Sequence, residues 1–119
     1  MVQIHIIEDD HFLLDSLMIF LNDKGYAAQG FISAETYIDY MNGTSFNLPE
    51  LIISDVNLPG ICGLQLANKV RQRYLGIRYI LMTGNTEQLK RQHLLTLNIE
   101  QVLAKPFKFE AFEQALSGH

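Results

Sequence analysis

The residues Leu51, Ile52, Ile53 and Ser54 form a strand-length run with no polar-apolar alternation. A strand this uniform is covered on both faces, which in a small domain means helices packed on either side of a parallel sheet. Other short strand-like runs recur at Val2–Ile7 (VQIHII), Tyr26–Phe31 (YAAQGF, the weakest), Ile77–Met82 (IRYILM) and Gln101–Ala104 (QVLA). Between them the spacing turns helical. Leu14, Leu17, Met18 and Leu21 fall at i, i+3, i+4 and i+7, with Asp10 as N-cap and Gly25 as the stop. Ser33 caps a short helix with Tyr37, Tyr40 and Met41 on one face. Leu66, Ala67, Val70 and Tyr74 mark another that Gly76 ends, and Phe109, Phe112 and Leu116 line the last. The stretch 85–97 is helical by composition but poorly amphipathic, with Leu94, Leu95 and Leu97 spread around the axis. This alternation predicts an α/β fold, a five-stranded doubly wound parallel sheet flanked by five helices. A length of 119 residues fits one domain, spanning 1–119.

In such a sheet, ligands bind beyond the carboxyl ends of the strands. Glu8, Asp9 and Asp10 follow the first strand and Asp55 the third. Thr83 follows the fourth, with Gly84 leaving room beside its hydroxyl, and Lys105 follows the fifth, before Pro106. Each has an ordinary reading: Asp10 as N-cap, Asp55 as loop cap, Thr83 as a turn residue, Lys105 as a surface charge. Their convergence on one sheet edge points to a site. Carboxylates crowded there repel and resist ionisation unless a cation intervenes, and oxygen donors suit Mg²⁺. Asp55 is then free to attack a phosphoryl group, with Thr83 and Lys105 holding the oxygens whose charge redistributes.

The segments IIEDD, LIISDVNLPG, ILMTG and LAKPF, in this order, resemble the receiver domain of two-component response regulators, over essentially the whole chain. The resemblance implies Asp55 as the phospho-accepting residue. It implies Glu8 and Asp9 as the metal-binding acids, Asp9 the more direct ligand, joined by Asp55 and the Asn57 backbone carbonyl around Mg²⁺ or Mn²⁺. Thr83 and Gly84 become the phosphoryl-binding switch, Lys105 the phosphoryl-contacting lysine, and Lys105–Pro106 a cis bond. Asn57 and Asn85 flank the path of the hydrolytic water and tune dephosphorylation. The implied activity is not that of a conventional enzyme: the domain catalyses its own phosphorylation from a phosphodonor, then slow autodephosphorylation. The implied donor is a histidine kinase or histidine phosphotransfer protein, and the readout an output domain outside this chain or a partner protein. One departure is Val102, where the family usually carries Tyr or Phe, so the common coupling of threonine to an inward-turning ring is not available. Another is LNIEQ before the last strand, in place of the usual Gly-Ala.

Composition narrows the setting. A formal net charge of -4 argues against direct nucleic-acid or anionic-membrane binding. The first segment ends in acids and lacks a basic n-region, so it does not read as a signal peptide. A lone cysteine, Cys62, permits no internal disulfide, which fits a reducing cytoplasm. His5 reads as a packed mid-strand imidazole, Cys62 as a small space-filler, and Lys69, Arg71 and Arg73 as a solvated helix face. A dehalogenase-type phosphatase would need an acid where Asn57 stands, and a flavin carrier would need a hydroxyl- and glycine-rich turn where three acids stand. A phosphorylation-independent interaction module, suggested by Val102, remains the alternative.

Overall fold

The computed structural model describes residues 1–118; His119, the last residue of the expected domain, lies outside the described residues. Five parallel strands, β1 (Gln3–Ile7), β2 (Ala27–Phe31), β3 (Leu51–Asp55), β4 (Arg78–Thr83) and β5 (Gln101–Ala104), form one sheet in the order β2-β1-β3-β4-β5. The helices are α1 (His11–Asp23), α2 (Ala34–Asn42), α3 (Gly63–Arg73), α4 (Arg91–Thr96) and α5 (Phe109–Leu116). The doubly wound sheet with five helices is the one the sequence pattern predicts. Among the described residues, no helix is long and apolar enough to cross a membrane.

The uniform apolarity of the central strands is explained by two cores. Alternate residues of β3 and β4 enter opposite layers. Ile52, Tyr79 and Leu81 pack with Tyr37, Met41, Leu66 and Val70 from α2 and α3. Leu51, Ile53, Ile80 and Met82 pack with Leu14, Leu17, Leu21 and Phe112 from α1 and α5. The caps are those expected: Asp10 accepts from the Phe12 and Leu13 amides, and Ser33 Oγ accepts from the Thr36 amide. Phe109 lies at the rim of its layer, half exposed and stacked on Phe20 at 5.0 Å between centroids.

Two expectations are corrected. The stretch 85–97 is not one helix but a 3₁₀ turn (Thr86–Gln88) followed by the six-residue α4. The Asn85 side chain caps the Glu87 amide, which closes the turn early, and Leu89 and Lys90 are extended. With no apolar stripe, α4 has no fully buried residue to hold a longer helix against the sheet. Nor is Arg71 part of a solvated face. Its guanidinium donates to the carbonyls of Leu97, Asn98, Tyr74 and Leu75, pinning the chain beyond α4 to the end of α3.

His5 is wholly buried on the α2 side of β1. Its Nδ1 pairs with the Tyr37 hydroxyl at 2.8 Å, and Phe31, Tyr37, Tyr40 and Phe46 present their rings around it edge to face. Burial lowers its pKa from 6.5 to about 4. The unfolded chain therefore takes up a proton at a pH where the folded one does not, so the neutral imidazole's contribution is complete above about 6.5 and is lost as the pH falls toward 4. Across that window, wild type is expected to lose about 3 kcal/mol of folding stability relative to His5→Leu. Urea unfolding of both proteins from pH 7 to pH 4 checks this; a pH-independent difference would contradict it.

Candidate functional site

Strand register sets the site. Ile7 pairs with Ser54, Asp55 with Met82 and Thr83 with Ala104, so β1, β3, β4 and β5 all end along one edge. The next residues of β1 and β5 are Glu8, Asp9 and Lys105, which fall beside Asp55. The backbone is held as closely as the side chains: Glu8 N donates to Phe31 O, Val56 N to Met82 O, and Lys105 N to Thr83 O at 2.7 Å. The Lys105–Pro106 peptide is cis.

Two glycines shape the loop after Asp55. Gly60 sits at φ +75°, in the left-handed region that glycine favours, and so turns the Pro59-Gly60 bend. Beside it, Glu35 of α2 accepts from the Ile61 amide. Gly63 begins α3 directly behind the acid: a Cβ there would lie 2.1 Å from the Asp55 carbonyl oxygen. Gly84 differs, since a Cβ there would meet nothing within 4 Å, so space beside Thr83 does not by itself require glycine.

Lys105 Nζ bridges the two buried acids, 2.5 Å from Glu8 Oε1 and 2.9 Å from Asp55 Oδ2. The second oxygen of each is also used: Glu8 Oε2 accepts from the Asp10 amide and Asp55 Oδ1 from the Asn57 amide. Glu8 is fully buried and Asp55 nearly so, whereas Asp9 is exposed. One carboxylate oxygen from each of Glu8, Asp9 and Asp55 lies within 4.8 Å of the others. Burial pushes the Glu8 carboxyl up to about 7, and the Asp55 charge adds to this, while Lys105 and the Asp10 amide pull it back. Burial also works against the Lys105 charge, but its bonds to Glu8 and Asp55 outweigh that and raise its pKa. Three acids facing one ammonium leave an excess of negative charge, and their hard oxygen donors suit a small divalent cation.

A second, uncharged cluster adjoins the first. The buried Thr83 hydroxyl accepts from Asn57 Nδ2 at 3.2 Å, from the Asn85 amide at 3.1 Å and from Gln88 Nε2 at 3.3 Å. Gln88 Nε2 also donates to Asn57 Oδ1 at 3.1 Å. The Asn85 side chain is occupied in capping the turn. Val102 is half-buried against the layer that holds α2 and α3, without a polar atom to offer Thr83. An open groove lined by Asp9, Asn57, Leu58, Cys62 and Gln88 runs beside both clusters. Sequence reasoning missed Gln88 and Gly63. The second glycine of PGICG is a signal that the chain passes close to something; a glutamine in a turn carries none.

Comparison with known proteins points to one family. The family model described as the response regulator receiver domain matches residues 4–117. The transcriptional regulatory protein FixJ of Bradyrhizobium diazoefficiens is 29% identical over 105 residues, 88% of this chain and 50% of that protein. The sensor histidine kinase RcsC of Salmonella typhi is 28% identical over 113 residues, 94% of this chain and 12% of that protein. The chain thus spans half or less of the length of these curated relatives. The response regulator TrrA of Thermotoga maritima, solved in complex with Mg²⁺-BeF, superposes with a TM-score of 0.82 at 23% identity, covering 98% of this chain and 97% of TrrA. By the match of the family model along nearly its whole length, this chain belongs to the response regulator receiver domain family.

Proposed function

We propose that Asp55 of this receiver domain accepts a phosphoryl group from a histidine kinase or histidine phosphotransfer protein, and that the acyl phosphate switches a surface read by an output domain or partner protein. The observation that carries this reading is the placement of Asp55: nearly buried at a strand end, its Oδ2 on the Lys105 ammonium, and two further carboxylates within 4.8 Å. Similarity to part of a transcriptional regulator and to part of a sensor kinase supports a place inside a longer signalling protein as readily as a separate one. The setting we infer is the cytoplasm, in keeping with the unpaired Cys62.

In the transfer step one Asp55 carboxylate oxygen attacks phosphorus. A P–O bond forms, the P–N bond to the donor's imidazole breaks, and the imidazole leaves with the electron pair. Asp9, Asp55, Glu8 and the Asn57 carbonyl would hold Mg²⁺ or Mn²⁺, which when bound neutralises the acids and draws charge from the phosphoryl oxygens. The exposed Asp9 is the member of the acid group most open to an entering ion. Lys105, already on Asp55, is placed to hold one phosphoryl oxygen, and the Thr83 hydroxyl with the Gly84 backbone another. Water then returns the carboxylate by slow hydrolysis, its approach flanked by Asn57 and Asn85.

Incubation with acetyl phosphate and Mg²⁺ is expected to add one phosphoryl group to wild type and none to Asp55→Asn, read by intact mass. A phosphorylation-independent interaction module, the reading that Val102 favours, predicts partner binding that is indifferent to Asp55→Asn. The rate of hydrolysis is expected to change several-fold in Asn57→Arg and in Asn85→Asp, the second of which keeps the oxygen that caps the Glu87 amide, with little effect on the fold. Decay of the acid-labile phosphate over time measures it, and equal decay in all three proteins would remove these residues from that role.

A further inference from the structure

Thr83 and Asn57 have a partner that no strand supplies. Gln88, exposed on the 3₁₀ turn, reaches back so that the two hydrogens of its Nε2 serve Thr83 Oγ1 and Asn57 Oδ1, while Asn57 Nδ2 closes the ring onto Thr83 Oγ1. The ring therefore joins the end of β4, the loop after β3 and the turn before α4.

The ring is poised rather than locked. A hydroxyl has two acceptor lone pairs, yet three donors point at Thr83 Oγ1, at 3.1, 3.2 and 3.3 Å. Its own hydrogen has only the Asn85 carbonyl, at 3.4 Å. These are shared, long bonds between neutral groups. A phosphoryl oxygen is a charged acceptor, roughly twice as strong a partner for the threonine hydrogen. Turning Oγ1 toward it takes the oxygen away from Gln88.

At that end the segment Gln88 holds has, besides it, the Asn85 cap on the Glu87 amide. Among the described residues, Gln88 is the only side chain of residues 86–96 that hydrogen-bonds outside the segment. Leu89, Leu94 and Leu97 are only half-buried, and Leu95 is exposed. The far end is fastened separately by Arg71 on Leu97 and Asn98. Val102 gives Thr83 no aromatic partner, and among the described residues Gln88 is the side chain that links Thr83 to the segment 86–96.

We propose that Gln88 is a positioning residue, a latch that ties the segment 86–96 to Thr83 and Asn57 in the unphosphorylated chain and is released when Thr83 turns to the phosphoryl group. The proposal rests on the reading of Asp55 as phospho-acceptor. The two bonds from Gln88 Nε2 are long and shared, so together they count as about one neutral hydrogen bond, and losing them from the unmodified state alone is worth about fivefold in an equilibrium. Gln88→Met, which keeps length but has no donor, is therefore expected to bind beryllofluoride with Mg²⁺ about fivefold more tightly than wild type. Gln88→Glu provides a second variant without the amide hydrogens, and the exposed position tolerates both. Amide hydrogen exchange is expected to rise in residues 86–96 of wild type on adding beryllofluoride. In Gln88→Met it should already be raised without it, with β1 and β3 protected as before. A merely structural glutamine would alter stability and leave the affinity unchanged. Wild-type affinity and exchange in both variants would overturn the latch alone. Absence of Asp55-dependent beryllofluoride binding in wild type would instead overturn the phospho-acceptor reading, and the latch with it.

Discussion

The site depends on one ammonium shared by two buried carboxylates. Glu8 and Asp55 stand where the sheet has almost excluded water, and ionised groups are costly there unless paired. Lys105 meets both, and the rest of the architecture serves that meeting. The strand order sets β1 beside β3, the register carries β5 far enough for Lys105 to reach across, and Gly63 lets α3 close behind the acid. The arrangement is stable without being neutral. Asp9 adds a third charge, and that surplus is what gives a small hard cation a reason to enter.

The charged and uncharged clusters divide the work. Lys105 and the acids touch the carboxylate that we propose reacts; Asn57, Thr83 and Gln88 touch what must notice that it has reacted. Asn57 belongs to both, since its backbone amide donates to Asp55 and its side chain to Thr83. A single residue two places after the acid thus spans chemistry and response. The apolar Val102 then directs attention away from β5 and toward the turn before α4.

Most of the fold was legible because the signals were local and mutually consistent. The unbroken apolarity of Leu51–Ile53 reported two covered faces, Asp10 and Ser33 announced helix starts, and the strand ends displayed their polar residues at one edge. The misread stretch was 85–97, where composition favoured a helix but periodicity was absent. There the Asn85 cap, a local side-chain bond, decided the backbone. Arg71 and Gln88 were missed for a different reason. Their partners lie 26 residues and more away for Arg71 at Leu97, and 31 for Gln88 at Asn57, and long polar side chains carry no periodic mark of where they end.

Arg71 has a mechanical consequence. Its guanidinium grips the Leu97 and Asn98 carbonyls while also holding the end of its own helix, so that end of the segment is anchored to the body of the domain. At the other end the segment joins β4 through Gly84 and Asn85, so it is a span held at both ends. Displacement is smallest at the Arg71 clamp and at the join to β4 and largest between them, so a partner that gauges the state of this domain gains most by touching the middle of the span.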